Sequence, residues 1–332
     1  MPSPPQRIKP DGLDFNRPED CHQILLLDKH TRIEGLCSEA VFMEDVVEGN
    51  FSPVTNEFWF SRNRENGYNA APKYDIRKII TSYEKGLNEL DYRILDGFAR
   101  EKLGLRVSVV HFDSSTKKVR EFRHYSGQRH KHPDQQGDPL AFHGDMEIPS
   151  IEDRNPVRIH KAADFLEERK LLKDAAIKRL VANCYLPGGA WDIDAFTITA
   201  AGQVVAMEVK QKYPTAAKTF GINKGQKGLF DFLTGLGMPV IHIILQKPVS
   251  DASVHAIDLL TFPEYRQKTR WLYTRLVPEK LRQAVEAAPA STSINGQHPV
   301  EYEHISLSQF SLLKKLGVPA TDIRGKLLAG IE

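Results

Sequence analysis

Three acidic residues and two lysines lie within the segment 191–212, which reads WDIDAFTITAAGQVVAMEVKQK. Residues two apart in a strand share a face, so Asp192 and Asp194 are expected to point the same way. By the same rule, Glu208 shares a face with Lys210. Grouped carboxylates suit a hard divalent cation such as Mg²⁺, and a nearby lysine can orient a water that attacks a phosphodiester. The residue types therefore predict metal-dependent phosphodiester hydrolysis.

Two β-type runs, 191–199 and 204–209, carry these residues and are separated by a short polar turn. A hairpin would set the two strands side by side. The apolar runs at 204–207 and 243–245 are typical of strands buried on both faces of an α/β sheet. Carboxylates at the ends of such strands repel one another and lose hydration, and a bound cation relieves both penalties.

An acid on one hairpin strand followed by Glu-x-Lys on the next resembles the signature of the PD-(D/E)XK nuclease superfamily. The resemblance covers about residues 160–247 and lacks the motif's proline, because Ile193 precedes Asp194. It implies an α/β protein with a restriction-endonuclease-like core, in the order helix–strand–strand–strand–helix–strand. It also implies Mg²⁺ or Mn²⁺ as cofactor and hydrolysis of nucleic acid, with DNA favoured over RNA.

The resemblance assigns the roles of the site residues. Asp194 and Glu208 correspond to the metal ligands, with Asp192 as the alternative to Asp194, and Lys210 corresponds to the catalytic lysine. Gln226 stands where some members carry a glutamine on the following helix. Other members use an acid on the first helix, for which the candidates are Glu167 and Glu168.

Five lysines and no acid lie between Val209 and Phe230, and three glycines interrupt the same stretch. Their spacing does not match GxxxxGK[ST], which excludes a nucleotide P-loop. Beside a metal site, a basic loop and helix start favour phosphate contacts; a solvated loop is the alternative. The expected nucleic-acid contacts are Lys212, Lys218, Lys224 and Lys227. The stretch 117–132, rich in Lys, Arg and His, is a second candidate surface.

Other elements follow from hydrophobic spacing and turn residues. The spacing predicts strands in the apolar and aromatic runs between 21 and 60, and a hairpin at 107–112 and 119–125. A strand is expected at 240–245. Helices are expected at 75–103, 160–184, 222–236, 266–287, 307–316 and 322–328.

The composition limits the protein's class. The chain has 332 residues, and 45 Lys and Arg against 43 Asp and Glu exclude a generic polycationic coat. Three cysteines without a CxxC pair exclude a disulfide framework and fit a reducing compartment. No signal peptide or membrane-length apolar run is found, so a cytoplasmic protein without membrane contact is expected.

The predicted domains are consecutive along the chain. A loose Pro-rich arm (1–20) precedes an N-terminal α+β domain (21–150), a nuclease-like domain (151–287), a linker (288–300) and a short helical extension (301–332). Cleavage of both strands of a duplex would favour a homodimer or a partner subunit. The alternative function is a catalytically silent nucleic-acid-binding or assembly module on the same fold.

Overall fold

A computed structural model of the chain describes residues 7–8, 12–63, 73–81, 86–101, 103, 105–114, 116–129, 140–141, 146–147, 155–186, 190–248, 254–277, 285–290 and 300–331. The chain is a mixed α/β protein, as the sequence predicts. None of the helices in this described part combines the length and the apolar character that a membrane span requires.

The elements are numbered in chain order. The helices are α1 (Pro18–Leu26), α2 (His30–Phe42), α3 (Glu89–Arg100), α4 (Pro156–Glu168), α5 (Leu172–Cys184), α6 (Lys224–Gly235), α7 (Asp258–Thr261), α8 (Pro263–Arg266) and α9 (Ile323–Leu328), with a π-helical turn at Met43–Val47 and a 3-10 turn at Leu307–Gln309. The strands are β1 (Arg7–Ile8), β2 (Val54–Thr55), β3 (Phe58–Asn63), β4 (Lys73–Ile80), β5 (Val107–Asp113), β6 (Lys118–Arg123), β7 (Leu140–Ala141), β8 (Met146–Glu147), β9 (Trp191–Ile193), β10 (Ala195–Ile198), β11 (Val204–Lys212), β12 (Thr219–Asn223), β13 (Val240–Gln246), β14 (Arg270–Leu276), β15 (Val285–Ala290), β16 (Val300–Ser306) and β17 (Ser311–Lys315).

The chain divides into two compact units, and neither is one continuous segment. The first unit comprises Met1–Asp28, Thr55–Arg154 and Ala163–Ile193. The second unit comprises Lys29–Val54, Asn155–Ala162 and Asp194–Glu332. Each unit joins segments that are distant in the sequence, whereas the domains predicted from the sequence are consecutive; one division between the units, at Arg154 and Asn155, falls close to the boundary expected near 150.

The first unit contains a six-stranded sheet in the order β7-β6-β5-β4-β3-β9. Strands β4 and β5 run parallel, and α3 connects them and packs against both. The predicted hairpin at 107–112 and 119–125 is confirmed as the antiparallel pair β5 and β6. Helices α1 and α5 pack against each other in the same unit.

The sheet of the second unit has the order β17-β14-β13-β11-β10-β2. Strands β10 and β11 form the predicted antiparallel hairpin, and β11 runs parallel to β13 after a crossover that contains α6. Apolar side chains form much of the middle of the sheet, where Val205, Ala206 and Ile243 are completely buried. Helix α2 packs against β11, and a small sheet in the order β12-β16-β15 completes the unit.

Three predicted helices are wrong over all or part of their length, because some of their apolar residues belong to strands. The expected helix at 75–103 is strand β4 followed by α3, and the helix begins where Asn88 caps the backbone N–H of Asp91. The expected helix at 266–287 contains β14, which is paired on both sides with β13 and β17. The expected helix at 307–316 is mostly β17. Strands buried on both faces carry apolar residues at helical spacings as well, so periodicity alone does not separate the two.

Other boundaries also need correction. The apolar runs at 24–27 and 40–47 fall mainly in α1, α2 and the π-helical turn rather than in strands. The helix expected at 160–184 is two helices, separated at Lys170, which has a φ of 59°. The C-terminal extension is not purely helical, because it contains β16 and β17.

The arm predicted at 1–20 is not loose at its C-terminal end. Leu13 and Phe15 are buried, and the Phe15 ring packs edge-on against Phe112 with the ring centroids 5.2 Å apart. Most of residues 1–11, and residues 291–299 of the expected linker, lie outside the described residues. The predicted helix at 222–236 and strand at 240–245 are confirmed as α6 and β13.

Candidate active site around Glu208

The first hairpin strand is interrupted at Asp194. The expected strand 191–199 is two strands: β9 pairs with β3 in the first unit, and β10 pairs with β11 in the second. Asp194 stands at the break, and its Oδ2 accepts a hydrogen bond from the backbone N–H of Val209 at 2.6 Å. Only 6% of Asp194 is exposed. The interruption places a buried carboxylate against the backbone of the Glu-x-Lys strand.

Glu208 is the centre of the predicted set in the second unit. Its side chain is fully buried in β11, and its Oε1 lies against Lys210 Nζ and accepts a hydrogen bond from Gln226 Nε2. The Lys210 side chain is 33% exposed, so the buried carboxylate contacts a cation that solvent or a ligand can reach. The structure thus brings together three residues that the sequence singled out.

Helix α6 supplies Gln226 at a defined position. Asn223 caps the helix by accepting a hydrogen bond from the backbone N–H of Gly225, so Gln226 lies in the first turn. Gln226 is buried. The first turn of a helix carries a partial positive charge from its unpaired N–H groups, which favours a carboxylate beside it. The amide of Gln226 therefore reaches the Glu208 carboxylate from the first turn of α6.

Glu39 on α2 is a further acidic residue near Asp194, and the sequence did not lead us to expect it there. Carboxylate oxygens of Glu39 and Asp194 lie within 4.8 Å of each other. The helix is held on the strand in part by Ser38, whose Oγ donates to Gln211 Oε1 at 3.0 Å. The signal was present: the apolar residues of 33–41 recur at spacings of three and four, which is typical of an amphipathic helix.

The donor set fits a hard divalent cation. Glu39 and Asp194 offer carboxylate oxygens, the ligand type that Mg²⁺ prefers. Their separation of at most 4.8 Å is comparable with the ~4.2 Å between opposite ligands of an Mg²⁺ ion bound at ~2.1 Å. The pairing of Ala195 with Met207 and the hydrogen bond from the Val209 N–H to Asp194 place Asp194 beside residues that flank Glu208 in the sequence. In the second unit, Glu39 and Asp194 are therefore the carboxylates with the spacing of a metal site.

A second lysine of β11 affects the electrostatics of the site. Burial, together with the charge of Lys210, lowers the pKa of Lys212 to about 8, although Glu208 acts to raise it. Lys212 Nζ donates a hydrogen bond to the carbonyl oxygen of Gly221 on β12. Next to Glu208 in the sheet, the ring of His242 packs against two phenylalanines. Burial lowers the pKa of His242 well below its usual value, so this imidazole is neutral.

The lysines of the basic segment differ in their surroundings. Lys218, at a turn with a φ of 54°, and Lys224, at the start of α6, are exposed. Lys227 lies 3.1 Å from an oxygen of Asp231 and 3.5 Å from an oxygen of Glu303, so two acids offset its charge. Of the four lysines expected to contact nucleic acid, Lys218 and Lys224 are therefore the exposed ones.

The remaining predicted residues lie in the first unit. Asp192 Oδ2 is 3.1 Å from Lys178 Nζ. Glu167 is 3.3 Å from the His22 ring and forms an exposed group with His22 and Asp164, and Glu168 is largely exposed beside Arg169. These acids have partners or solvent in their own unit, whereas the set around Glu208 is buried.

The comparisons with known proteins assign no function to these residues. Comparisons of the chain with family models, with curated proteins and with solved structures return no match. What the protein does must therefore be inferred from the chemistry of its own site.

Proposed function

We propose that the protein is a Mg²⁺-dependent nuclease that hydrolyses phosphodiester bonds, with DNA as the favoured substrate. The observation that carries this proposal is the fully buried carboxylate of Glu208 in contact with the ammonium of Lys210, whose side chain is partly exposed. Burying a carboxylate costs several kcal/mol unless charge and hydrogen bonds compensate for the lost hydration. A bound cation and an anionic substrate make such an arrangement useful for catalysis.

The order of elements in the second unit supports the proposal. Apart from the start of α4 and strand β12, which belongs to the small sheet, helix α2 is followed by β2, β10, β11, α6 and β13, and the four strands are neighbours in the sheet as β13-β11-β10-β2. This order agrees with the helix–strand–strand–strand–helix–strand core that the resemblance implies. In this assignment α2, rather than the segment 160–184, is the first core helix, and β2 is the first core strand. Most of the first unit, which lies between β2 and β10 in the sequence, is then an insertion between the first and second core strands.

Each residue then has a proposed role. Asp194, Glu208 and Glu39 would hold the cation, which supplies Lewis-acid stabilisation of negative charge when bound. Glu39 takes the first-helix position for which Glu167 and Glu168 were the candidates. Lys210 contacts the scissile phosphate or its attacking water, and its 33% exposure makes it accessible to both. Gln226 holds Glu208 in position through its amide.

Metal binding and cleavage test the proposal directly. The full-length protein would be incubated with plasmid, linear, single-stranded and RNA substrates in the presence of Mg²⁺, Mn²⁺ or EDTA. We expect cleavage with either metal and none with EDTA. Isothermal titration with Mn²⁺ should show a site that Glu208→Gln weakens. Nucleic-acid binding without Mn²⁺ binding or cleavage would instead support the catalytically silent module.

Lys210→Ala should reduce cleavage more than binding, because its proposed role is in the transition state. We expect a loss of at least ~10²-fold in the single-turnover rate, similar to removal of one transition-state donor. Substrate affinity should change less than about threefold, since other cations remain. Lys315→Ala, which removes an exposed lysine of β17, is the control and should leave both values unchanged. Equal losses in rate and affinity would make Lys210 an ordinary phosphate contact.

A further inference from the structure

An exposed aromatic ring lies just beyond the Glu-x-Lys strand. Tyr213 follows the last residue of β11 and is 45% exposed. Lys247 follows the last residue of β13, and its Nζ lies 5.7 Å from the centroid of the Tyr213 ring. The backbone N–H of Lys247 donates to the carbonyl oxygen of Lys212 at 2.8 Å. The ring and the ammonium thus lie together at the carboxyl ends of two adjacent parallel strands.

The backbone around this ring is restrained. Pro214 limits the preceding residue, Tyr213, to extended conformations. The turn that follows is closed by hydrogen bonds between Thr215 and Thr219, including one between their hydroxyl groups at 2.7 Å. Lys247 is partly buried, so its stem packs along the protein while the ammonium stays near the ring. A base that stacks here binds to side chains that are already held in place, so little conformational entropy is lost on binding.

The position relative to Lys210 limits the path of the ligand. Tyr213 is three residues beyond Lys210, which is ~10 Å along a strand, and this odd separation puts the two side chains on opposite sides of the extended backbone, so a nucleic acid that contacts both must cross the carboxyl end of β11. This distance corresponds to about three stacked nucleotides at ~3.4 Å each. Exposed aromatic rings beside cations bind unpaired bases, because every base has a π-face and each phosphate is an anion. A paired base in a duplex does not offer this face to a side chain.

We infer that Tyr213 and Lys247 form a stacking platform for an unpaired base of the nucleic acid that reaches Lys210. The inference rests on the proposed nuclease function and adds the substrate class, which is single-stranded or locally unpaired nucleic acid. Tyr213 supplies the stacking surface, and Lys247 contacts the phosphate beside the stacked base. The platform contacts substrate away from the hydrolysed bond, so it acts on binding rather than on the chemical step.

The chain offers a closely matched control. Phe262 is 43% exposed, and Lys161 Nζ lies 5.8 Å from its ring centroid, so both values resemble those of Tyr213. The acid that acts on Lys247, Glu34, is itself paired with Arg158, whereas Lys161 Nζ lies 3.1 Å from Oδ1 of Asp258. That carboxylate offsets the cation and repels phosphate. Phe262→Ala therefore removes a similar ring from a surface that does not favour nucleic acid.

Binding would be measured by fluorescence anisotropy in Ca²⁺, with single-stranded and duplex oligonucleotides of the same sequence. We expect Tyr213→Ala to weaken single-strand binding at least about fivefold and duplex binding less than about twofold. Tyr213→Phe and Phe262→Ala should both bind like the wild type. A 2-aminopurine base in the single strand should be quenched by the wild type and not by Tyr213→Ala. Thermal unfolding of each variant verifies that the fold is intact.

Several results would overturn the inference. Equal weakening of single-strand and duplex binding by Tyr213→Ala would exclude a platform for unpaired bases. A loss with Phe262→Ala as large as that with Tyr213→Ala would make the effect non-specific. Cleavage by the wild type in Mg²⁺, measured alongside, separates the two proposals. If the wild type cleaves and Tyr213→Ala binds normally, the platform alone is refuted; if the wild type binds without cleaving in any metal, the nuclease function alone is refuted.

Discussion

Among the residues whose burial is described, each unit has one buried glutamate in its large sheet, and the two glutamates have different neighbours. In the first unit, Glu121 accepts hydrogen bonds from the Tyr185 and Ser108 hydroxyls and from the Arg77 guanidinium. Arg106 lies 3.5 Å from its other oxygen. Although burial raises its pKa, Arg77 and these hydrogen bonds lower the pKa of Glu121 below its usual value. In the second unit, the cation in contact with Glu208 is a lysine that is one-third exposed.

The difference is the ground on which we propose a structural role for Glu121 and a catalytic one for Glu208. Two guanidinium groups compensate the charge of Glu121, that of Arg77, whose side chain is 7% exposed, and that of Arg106, whose side chain is 41% exposed. Glu208 instead contacts the flexible side chain of a lysine on its own strand. Burial of a carboxylate by itself therefore does not identify a catalytic site.

The largest expected effects come from removing the charge of each glutamate in turn. Glu208→Gln should reduce metal-dependent cleavage at least ~10²-fold and change the free energy of unfolding by less than about 1 kcal/mol, because Lys210 can be hydrated. Glu121→Gln should destabilise the protein by about 3 kcal/mol, since it leaves the buried Arg77 without its full counter-charge. The measurements are single-turnover cleavage and urea unfolding. Wild-type cleavage by Glu208→Gln would show that the two glutamates are both structural.

Asp194, at the strand break, and Asp192, in the strand before it, should also differ in their effect on cleavage. Asp194→Asn keeps an oxygen for the Val209 N–H but loses a negative metal ligand, so cleavage should fall at least ~10-fold. Asp192→Asn removes the charge opposite Lys178 in the first unit and should leave cleavage within about threefold of wild type. Mn²⁺ affinity, measured by titration, should follow the same order. The reverse order would assign the ligand to Asp192.

A smaller effect is expected from the exposed lysines of the second unit. Lys218→Gln with Lys224→Gln should reduce the slope of log K against log salt by about 2 for duplex DNA, at ~0.9 for each lost phosphate contact. Adding Lys227→Gln should change the slope no further, because Asp231 and Glu303 already offset that charge. Binding at several salt concentrations tests both statements. An unchanged slope in the double variant would direct the search for the nucleic-acid surface to the basic hairpin at 117–132.

The smallest expected effect is a pH dependence at Lys212. Its pKa is about 8 in the folded protein against a usual value of 10.5, so between these values the unfolded chain binds the proton more strongly. The free energy of unfolding contributed by this lysine should therefore rise with pH across that interval, by an amount of the order of 1 kcal/mol. Urea unfolding at pH 8 and pH 10.5 should show this rise in the wild type and a smaller one in Lys212→Met. Parallel pH profiles would contradict the lowered pKa.

Local spacing determined the part of the site that lies on one hairpin and the helix after it. Glu208 and Lys210 are two residues apart in a strand, and Gln226 lies in the first turn of the following helix. The contact among these three residues therefore depends on few long-range interactions. The order β10, β11, α6 and β13 could be predicted for the same reason. The apolar runs of β11 and β13 leave a parallel pair connected by a helix as the natural arrangement.

Only the tertiary structure decided which distant segments complete the second unit. Glu39 and β2 precede the hairpin by more than a hundred residues, and no local pattern connects them with Asp194. Strands β4 and β14 were predicted as helices because burial on both faces removes the alternation that marks a strand. The division of 191–199 between two sheets had the same cause: pairing with β3 or with β11 depends on partners far away in the chain. Short-range chemistry is encoded by residue spacing, whereas sheet neighbours are selected by the packing of the whole chain.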